Sequence, residues 1–354
     1  MNAIKRVLYH PFFIKLFHWE YWNFWMIYAW ILPVWFLLCL RARSFFFFSA
    51  SNPSIQNGGF ADESKKDIYP LIPKHITPRS VFFDIPVDVN NVADEVEASG
   101  LRYPLVGKPN KGGKGKGVRV LKSRQDLSSY VRDALVDFHV QEFVALEHEV
   151  GIFYHRIPGA ASGKITGIVR KEFLSVTGDG IKTLKQLICD SKRALMQLHS
   201  LEKMYGELFH EVIPRQKTVI LVPYGNHARG AKFIDDTHLV DENLENAIDT
   251  VCKQIPDFYF GRLDIRFNSW EELKQGKNFS IIEVNGAGSE PTHIYDPRHS
   301  IFFAWKELIR HWMILYRISA INHKRGVAYL NWNDGVQMFR NDKENIRLIS
   351  MMTE

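Results

Sequence analysis

Cysteine is scarce in this chain of 354 residues, which contains only Cys39, Cys189 and Cys252. The three are far apart and no two have the CxxC spacing, so the sequence offers neither a disulfide framework nor a structural zinc site. The fourteen histidines likewise show no HExxH or comparable metal spacing. A reducing compartment is the simplest setting for such a chain.

A strong excess of either charge is also absent. Lysine and arginine exceed aspartate and glutamate by six, which suits a nucleotide, an anionic lipid surface or a nucleic acid about equally well. Hydrophobic residues make up 46% of the chain and charged residues 24%, as in ordinary globular proteins, so we expect a buried core rather than disorder. The length allows two compact domains, or one larger domain with an appendage.

Charge is missing completely from one long segment near the N-terminus. Residues 21–40 read YWNFWMIYAWILPVWFLLCL, and five of the nine tryptophans lie between Trp19 and Trp35. A helix of about 20 residues rises about 30 Å, the hydrocarbon thickness of a bilayer. The pattern therefore predicts an apolar, membrane-associated N-terminal helix. Cations stand on both sides of it, so the positive-inside rule does not fix its orientation.

Three alternatives to a spanning helix stay open. A cleaved signal peptide is one, although the apolar run is longer than a signal h-region and no small-x-small cleavage site follows it. An interfacial helix or monotopic hairpin is the second, because the preceding VLYHPFFIKLFHW alternates bulky apolar groups with Lys15, His10 and His18. The third is a hydrophobic helix buried against the protein itself.

The most distinctive stretch is PLVGKPNKGGKGKGVRVL, residues 104–121. Strand-like residues flank a middle rich in glycine and lysine, which predicts a β-hairpin with a long flexible tip. Residues 102–119, counted from Arg102 to Arg119 inclusive, contain six cations and no acidic residue. Together with closely approaching glycine amides they favour a phosphate or another polyanion. Neither the Walker loop nor GxGxxG matches, and the alternative is a solvated basic loop that touches RNA or lipid headgroups.

Two later segments, FYFGRLDIRF and NFSIIEVNGAG, alternate apolar and polar residues as strands do. This alternation puts Arg262, Asp264 and Arg266 on one face of the first strand, and Glu283 and Asn285 on one face of the second. Aligned carboxylate and amide oxygens are suitable ligands for Mg²⁺. Polar residues that merely face water are the alternative, but EVNGAG is an apolar setting in which buried polar groups need compensation.

Taken in order, GKPNKGGKGKGV, VQEFVALEHEV, GRLDIRF and EVNGAG resemble the signatures of the ATP-grasp superfamily over residues 104–293. RKEFLSVTGDGIKTLKQLI is similar to the cyanophycin synthetase and bifunctional glutathione synthetase branch, although Thr183 as a helix N-cap explains the same residue types. The resemblance extends to the D-alanine–D-alanine ligase group. It implies an α+β fold in which two α/β subdomains grip ATP, here preceded by the apolar N-terminal helix.

This resemblance also predicts how the chain is organised. Residues 1–43 would be the membrane-associated segment, and 44–100 a linker and reduced region before the main domain. Residues 101–325 would be the ATP-grasp domain, and 326–354 a C-terminal tail. Only about sixty residues separate the apolar segment from the glycine-rich strand, too few for the N-terminal substrate domain of D-alanine-type ligases, so the resemblance does not identify D-alanine as substrate.

Individual residues receive roles by the same resemblance. Arg262 would steady the acyl phosphate, and Arg229, in HARGAKF, would contact the phosphates. The metal ligands would be Asp264, Glu283 and Asn285, which hold two Mg²⁺ ions, with Mn²⁺ as the alternative metal. The residues that bind ATP would be Lys108, Gly112, Gly113, Lys114, Gly115, Gly117, Gln141, Glu142, Phe143, Val144 and Glu149.

The implied activity is an ATP- and Mg²⁺-dependent ligase that joins a carboxylate to an amine through an acyl phosphate. Its carboxylate would be a small molecule or lipid-linked. The alternatives are an ATP-grasp kinase that acts on a lipid or polyol hydroxyl, and a membrane-bound nucleotide-binding protein without turnover. Nucleic acid is not expected as a partner, because ATP explains the basic tip. We expect attachment to the inner or plasma membrane with the catalytic domain in the cytoplasm; the sequence leaves the oligomeric state open.

Overall fold

The computed structural model describes residues 10–352 except 114, 223, 224 and 226. Helices and antiparallel sheets make up the described part, which confirms the α+β class. The strands are β1 (Ser80–Phe83), β2 (Leu105–Pro109), β3 (Arg119–Leu121), β4 (Phe138–Glu142), β5 (His148–His155), β6 (Lys164–Glu172), β7 (Ser175–Thr177), β8 (Thr218–Ile220), β9 (Lys232–Asp235), β10 (Phe260–Phe267) and β11 (Phe279–Asn285).

The α-helices are α1 (Pro11–Phe17), α2 (Phe24–Tyr28), α3 (Leu32–Ala42), α4 (Lys65–Ile68), α5 (Val89–Ala98), α6 (Arg124–Asp133), α7 (Leu184–Asp190), α8 (Lys192–Leu195), α9 (Leu198–Tyr205), α10 (Glu242–Gln254), α11 (Trp270–Lys274), α12 (Ile301–Lys324) and α13 (Trp332–Met351). Short 3-10 helices occupy Trp19–Tyr21, Phe47–Ala50, Gln56–Gly59, Tyr69–Leu71, Lys74–Ile76, Gly206–His210, His227–Arg229, Thr237–Leu239 and Thr292–Tyr295.

The chain divides into two compact units, each made of three chain segments. Unit 1 comprises Met1–Pro33, Val169–Asp236 and Thr292–Glu307, and unit 2 comprises Val34–Ile168, Thr237–Pro291 and Leu308–Glu354. The boundaries predicted from the sequence, at residues 43, 100 and 325, stay predictions.

One sheet of unit 2 contains the glycine-rich hairpin. Its strand order is β1-β4-β2-β3, and all three pairings are antiparallel. Helix α6 packs on it because Leu127, Tyr130 and Val131 recur at helical spacing and are buried. The helix begins where the Ser123 hydroxyl accepts a hydrogen bond from the Asp126 amide at 3.2 Å.

The other sheet of unit 2 contains the strands that were predicted to carry the polar groups. Strand β10 lies between β11 and β5 and pairs with both in antiparallel fashion, and β6 follows β5 in the sheet. Helix α10 covers its apolar face with the buried residues Leu244, Ile248 and Val251, one helical turn apart. This packing leaves the alternate residues of β10 and β11 for the polar face.

Unit 1 contains the end of β6 paired with β9, and the two-stranded ladder β7–β8. Helices α7 and α9 contribute Leu184, Ile188 and Leu201 to its core. Thr183 and Gln186 form a capping box at the start of α7, so Thr183 does serve as a helix N-cap, as its position after the TGDG turn predicts.

The predicted membrane-spanning helix is wrong. Within the part of the chain that the structure describes, no helix combines the length and the hydropathy that crossing a bilayer requires. The apolar run is broken because the Asn23 side chain caps a new helix through the Met26 amide, at 3.0 Å, and because Pro33 lies in the first turn of the next. The longest piece, α3, has 11 residues and rises about 16 Å.

A minority of the residues of this run are buried within the protein instead. Ile27 and Tyr28 are buried in unit 1, where the Ile27 carbonyl accepts a hydrogen bond from the Trp305 indole at 2.7 Å. In unit 2, Leu38 and Cys39 belong to a core that also contains Phe47. For these residues the alternative of a segment packed against the protein itself is the correct one.

Candidate active site

The polar face of β10 and β11 brings two carboxylates together. In the antiparallel register Asp264 lies directly opposite Glu283, and Arg262 opposite Asn285, so all four side chains project from one face. The Arg262 guanidinium donates to both oxygens of Asp264, at 3.0 and 3.3 Å. Burial lowers the pKa of Arg262, but Asp264 and Glu283 outweigh that effect and the pKa is raised. The arginine is therefore a permanent cation at this face.

Hydrogen bonds that start beside this pair, at a shift in the strand register, reach the other sheet of unit 2. The shift follows Asp264, and the Ile282 carbonyl on the neighbouring strand accepts a hydrogen bond from the Tyr69 hydroxyl at 2.8 Å. The same hydroxyl accepts from the Gln141 amide at 2.7 Å, and the Gln141 Oε1 accepts from the Lys108 Nζ at 2.6 Å. This chain of hydrogen bonds connects Lys108 on β2 to the strand that carries Glu283.

Lys108 lies in an unusual electrostatic setting. Burial lowers its pKa to about 8, although Glu283, Glu149 and Asp264 act in the opposite direction, and the charge of Lys65 lowers it further. Among the described residues no carboxylate forms an ion pair with Lys108 within 4.0 Å. The ammonium donates instead to the neutral amide of Gln141. An anion that entered the site would supply the charge partner that Lys108 lacks.

The glycine-rich hairpin is present, since β2 and β3 pair from Leu105–Leu121 to Gly107–Arg119. Its tip begins and ends with glycines at positive φ, Gly112 at 113° and Gly117 at 68°, a conformation that side chains with a Cβ rarely adopt. Gly113 and Gly115 lie between them, and Lys114 is outside the described residues. A Cβ added to Gly112 would lie 2.7 Å from Ile349 of α13, so this C-terminal helix covers the base of the tip.

The residues predicted for the adenine base lie at the end of β4 and directly after it. Gln141 is engaged by Lys108, and Glu142 forms a long, exposed ion pair with Arg79 at 3.4 Å. Phe143 and Val144 lie in the connection to β5. A cavity of about 570 Å³ is lined by Arg79, Gly100, Arg102, Pro104, Glu142, Phe143 and Ala145.

Glu149, predicted at the ribose, lies on β5 and pairs with Arg266 Nη2 at 3.1 Å. Arg266 also donates to the Leu146 carbonyl at 3.1 Å. The base and ribose roles of this region stay predictions, as does the phosphate contact of Arg229, which lies in the His227–Arg229 turn of unit 1.

Sequence reasoning missed two residues of this site, Glu63 and Lys65, because their segment was expected to be a linker. The Lys65 ammonium donates to the Gly112 carbonyl at 2.9 Å and lies 3.5 Å from Glu283 Oε1. Burial raises the pKa of Glu63 to about 7, against the effect of Lys65. Its Oε2 is buried and has no hydrogen-bond partner in the described part of the chain. The only sequence signal was a local one, the charged run DESKK inside an otherwise turn-rich segment.

Whether a metal ion fits the site depends on the donor atoms of Asp264, Glu283 and Asn285. No cluster of three or more His, Cys, Asp and Glu side chains suited to a metal occurs in the described part of the chain, and the predicted set consists of two carboxylates and one amide. Asp264 already accepts two bonds from Arg262. The buried Asn285 Nδ2, by contrast, has no hydrogen-bond partner among the described residues, so that atom does not fix the amide. The oxygens fit Mg²⁺ in their chemistry.

Comparison with known proteins gives no family model and no curated protein that matches. Among solved structures, the bifunctional glutathione synthetase from Pasteurella multocida is 16% identical, with 70% of this chain and 36% of that chain covered and a TM-score of 0.38. The VanG D-Ala:D-Ser ligase from Enterococcus faecalis is 17% identical, with 72% of this chain and 61% of that chain covered and a TM-score of 0.40.

The D-alanine–D-alanine ligase from Bacillus anthracis, in a structure complexed with ATP, is 13% identical, with 74% of this chain and 68% of that chain covered and a TM-score of 0.40. The chain thus spans less than two thirds of the first two proteins. Because the identities and the TM-scores are all low, these likenesses do not decide the chemistry of this chain, which depends on its own site residues.

Proposed function

We propose that this chain is an ATP- and Mg²⁺-dependent ligase of the ATP-grasp type that joins a carboxylate to an amine. One observation carries the proposal, and it lies within the described part of unit 2. Lys108, a half-buried lysine without an ion-pair partner, and the glycine-lined tip belong to one electrostatic cluster with the facing carboxylates Asp264 and Glu283. The lysine and the glycines suit a polyphosphate, and the carboxylates suit the cation that accompanies it.

The reaction has to overcome the poor electrophilicity of a carboxylate. A carboxylate oxygen attacks the γ-phosphorus of ATP, the bond to the β,γ-bridging oxygen breaks, and ADP leaves. The amine nitrogen then attacks the acyl carbon, loses a proton, and inorganic phosphate departs with the former carboxylate oxygen. Both steps build negative charge on oxygen, so preorganised cations lower their barriers.

Lys108 would bind the phosphates and neutralise part of their charge. Arg262, fixed by Asp264, would stabilise the oxyanion that forms when the amine attacks. Asp264, Glu283 and Asn285 would hold Mg²⁺, which when bound supplies Lewis-acid neutralisation of the phosphates. The tip from Gly112 to Gly117 would close over them and exclude water that hydrolyses an acyl phosphate.

The test is phosphate release from ATP by the full chain, screened against pooled amino acids, dipeptides and lipid extracts, with mass spectrometry of each stimulated pool. Free phosphate together with a condensed product supports the ligase. ADP formed together with a phosphorylated acceptor would replace the proposal by a kinase acting on a hydroxyl. Tight ATP binding without turnover in any pool would replace it by a nucleotide-binding protein.

We also propose that the chain works at the cytoplasmic face of the inner or plasma membrane, attached at the interface rather than through a spanning helix. Large apolar side chains of the N-terminal segment stay exposed in unit 1, among them Phe17 at 70%, Trp25 at 68% and Trp30 at 74%. Aromatic rings of this kind favour the membrane–water interface. The need for ATP supports the cytoplasmic side.

This attachment can be measured by sedimentation with vesicles of phosphatidylcholine and phosphatidylglycerol. The wild type is expected in the pellet, and the double variant Trp25→Ser/Trp30→Ser in the supernatant. Trp332→Ser is the matched control, because Trp332 is also exposed, at 62%, but lies on α13. Equal sedimentation of all three proteins would refute attachment through these tryptophans.

A further inference from the structure

Helix α3, most of which belongs to unit 2, has a buried face and an exposed face that are both apolar. Leu38 and Cys39 are buried in the core of unit 2. On the other side of the helix Leu37 and Leu40 are 59% and 72% exposed, and Phe36 is exposed as well. These three positions follow each other at helical spacing and form one stripe. A contiguous apolar patch on a protein surface is typical of a binding site.

Two arginines stand at the C-terminal end of this stripe. Arg41, directly after Leu40, is exposed, and so is Arg43. Arg43 has a φ of 54°, in the left-handed region that favours glycine at the end of a helix. Backbone hydrogen bonds hold it there, since the Arg43 amide donates to the Leu40 carbonyl and the Ser44 amide to the Cys39 carbonyl, each at 3.1 Å. The two cations therefore have fixed positions beside the apolar stripe.

The surroundings of the stripe in unit 2 are basic. Residues 34–61 and residues 308–333 contain no acidic side chain. Their cations are Arg41, Arg43, Arg310, Arg317, Lys324 and Arg325. The two segments are in contact, because the Arg41 guanidinium lies 5.9 Å from the centre of the Tyr316 ring. A contact of this kind leaves the positive charge in place, so the stripe lies in a region of positive potential.

We propose that the α3 face, which consists of Phe36, Leu37, Leu40, Arg41 and Arg43, binds the surface of a bilayer that contains anionic lipid. In this contact the apolar side chains enter the boundary of the acyl chains, and the arginines bind the headgroup phosphates. A second copy of the chain would bring the same cations to the contact, and their repulsion disfavours such a pair. The inference rests on the proposed membrane attachment, adds unit 2 to it and names the class of lipid.

Two separate contacts are suited to stable attachment. A single weak contact with a bilayer is readily reversed, whereas a second contact in the same chain acts at a high effective concentration once the first has formed. Trp25 and Trp30 supply one contact in the proposed attachment, and the α3 face supplies the other. Loss of either one should therefore release the chain, and only the α3 face should make binding depend on anionic lipid.

The experiment measures the partition coefficient of the full chain on two kinds of vesicle, phosphatidylcholine alone and phosphatidylcholine with phosphatidylglycerol. The variant Arg41→Gln/Arg43→Gln should bind the vesicles with phosphatidylglycerol about thirtyfold more weakly, from the loss of two cations near an anionic surface. Its binding to phosphatidylcholine alone should stay as in wild type. The variant Leu37→Ser/Leu40→Ser should bind both kinds of vesicle about tenfold more weakly.

Unit 2 offers matched controls away from the α3 face. Lys122→Gln/Arg132→Gln removes the same number of charges from two exposed positions, and Leu135→Ser replaces an exposed leucine. Both control variants should bind like wild type. The melting temperature of every variant should stay unchanged, because all the replaced side chains are exposed. Should the serine variant misfold, the arginine variant decides the question.

The possible results separate this inference from the proposed attachment. Weaker binding of both α3 variants, with the controls like wild type, supports the inference. If the α3 variants bind like wild type and only Trp25→Ser/Trp30→Ser is released, the inference is overturned and the proposed attachment stands. An equal loss in Lys122→Gln/Arg132→Gln also overturns it, because the total charge of the chain would then decide binding.

Two further results would overturn the inference in other ways. If wild type binds neither kind of vesicle, the proposed attachment fails and the inference fails with it. If wild type is a dimer by sedimentation equilibrium and Leu37→Ser/Leu40→Ser is a monomer, the α3 face binds a second copy of the chain instead of a bilayer.

Discussion

Replacing Asn52 by alanine should destabilise the segment that carries Glu63 and Lys65 more than any exposed substitution. Asn52 is fully buried. Its Nδ2 donates to the carbonyls of Gly58 and Phe260 at 2.9 and 2.8 Å. Its Oδ1 accepts from the amides of Tyr259 and Phe260 at 2.8 and 3.0 Å. One side chain thus joins the segment before α4 to the start of β10, the strand of Arg262.

The magnitude follows from these four hydrogen bonds. A buried donor or acceptor that loses its partner costs about 1–3 kcal/mol, and a typical hydrogen bond contributes about 1 kcal/mol net. A water molecule that enters the vacated space would recover part of the loss. We therefore expect Asn52→Ala to cost about 4 kcal/mol, a large share of the roughly 5–15 kcal/mol that stabilises a domain.

Because the chain has two units, global unfolding need not be two-state. We would therefore measure hydrogen exchange of the peptide that contains the Tyr259 and Phe260 amides, and urea unfolding alongside it. Faster exchange of these two amides and a lowered urea midpoint are expected. Asn243→Ala is the control, since Asn243 is exposed on α10. Unchanged exchange with a loss below about 1 kcal/mol would refute the reasoning.

Further predictions concern the site and a close backbone contact beside it. Glu283→Gln should lower Mg²⁺-dependent phosphate release about a hundredfold while the circular dichroism spectrum stays native; unchanged turnover removes Glu283 from the metal site. Burial lowers the pKa of Lys108 to about 8, so the affinity for the ATP analogue AMP-PNP should fall above that pH as the lysine loses its proton. The Lys108→Arg variant should keep its affinity there. If calorimetry gives the same pH dependence for both proteins, Lys108 does not bind the phosphates. Gly286→Ala should lower the melting temperature, because a Cβ would lie 2.5 Å from the Gly58 carbonyl oxygen; Gly113→Ala, with open space around it, should not.

The N-terminal segment shows where local sequence reasoning goes wrong. By hydropathy alone, residues 21–40 form one continuous apolar segment, because an average over a window of residues does not show the effect of a single helix-capping residue. Asn23 caps a new helix, another begins at Leu32 with Pro33 in its first turn, and the apolar residues between are divided between interior and surface. Trp25 and Trp30 are exposed while Ile27 and Ile31 are buried. That division depends on contacts with distant residues, which hydropathy does not contain.

The sequence by itself determined the α+β class, the glycine-rich hairpin and the two strands with polar faces. Alternation with a period of two decides which side chains share a face of a strand. Asp264 and Glu283 could therefore be identified as candidate site residues without knowing which distant segments contact them. The tertiary structure alone decided that these two lie opposite each other, and that Lys65 reaches Glu283 and Gly112. The physical reason is that strand register and buried ion pairs depend on how segments far apart in the chain pack, and the local pattern around Lys65 is that of an ordinary turn.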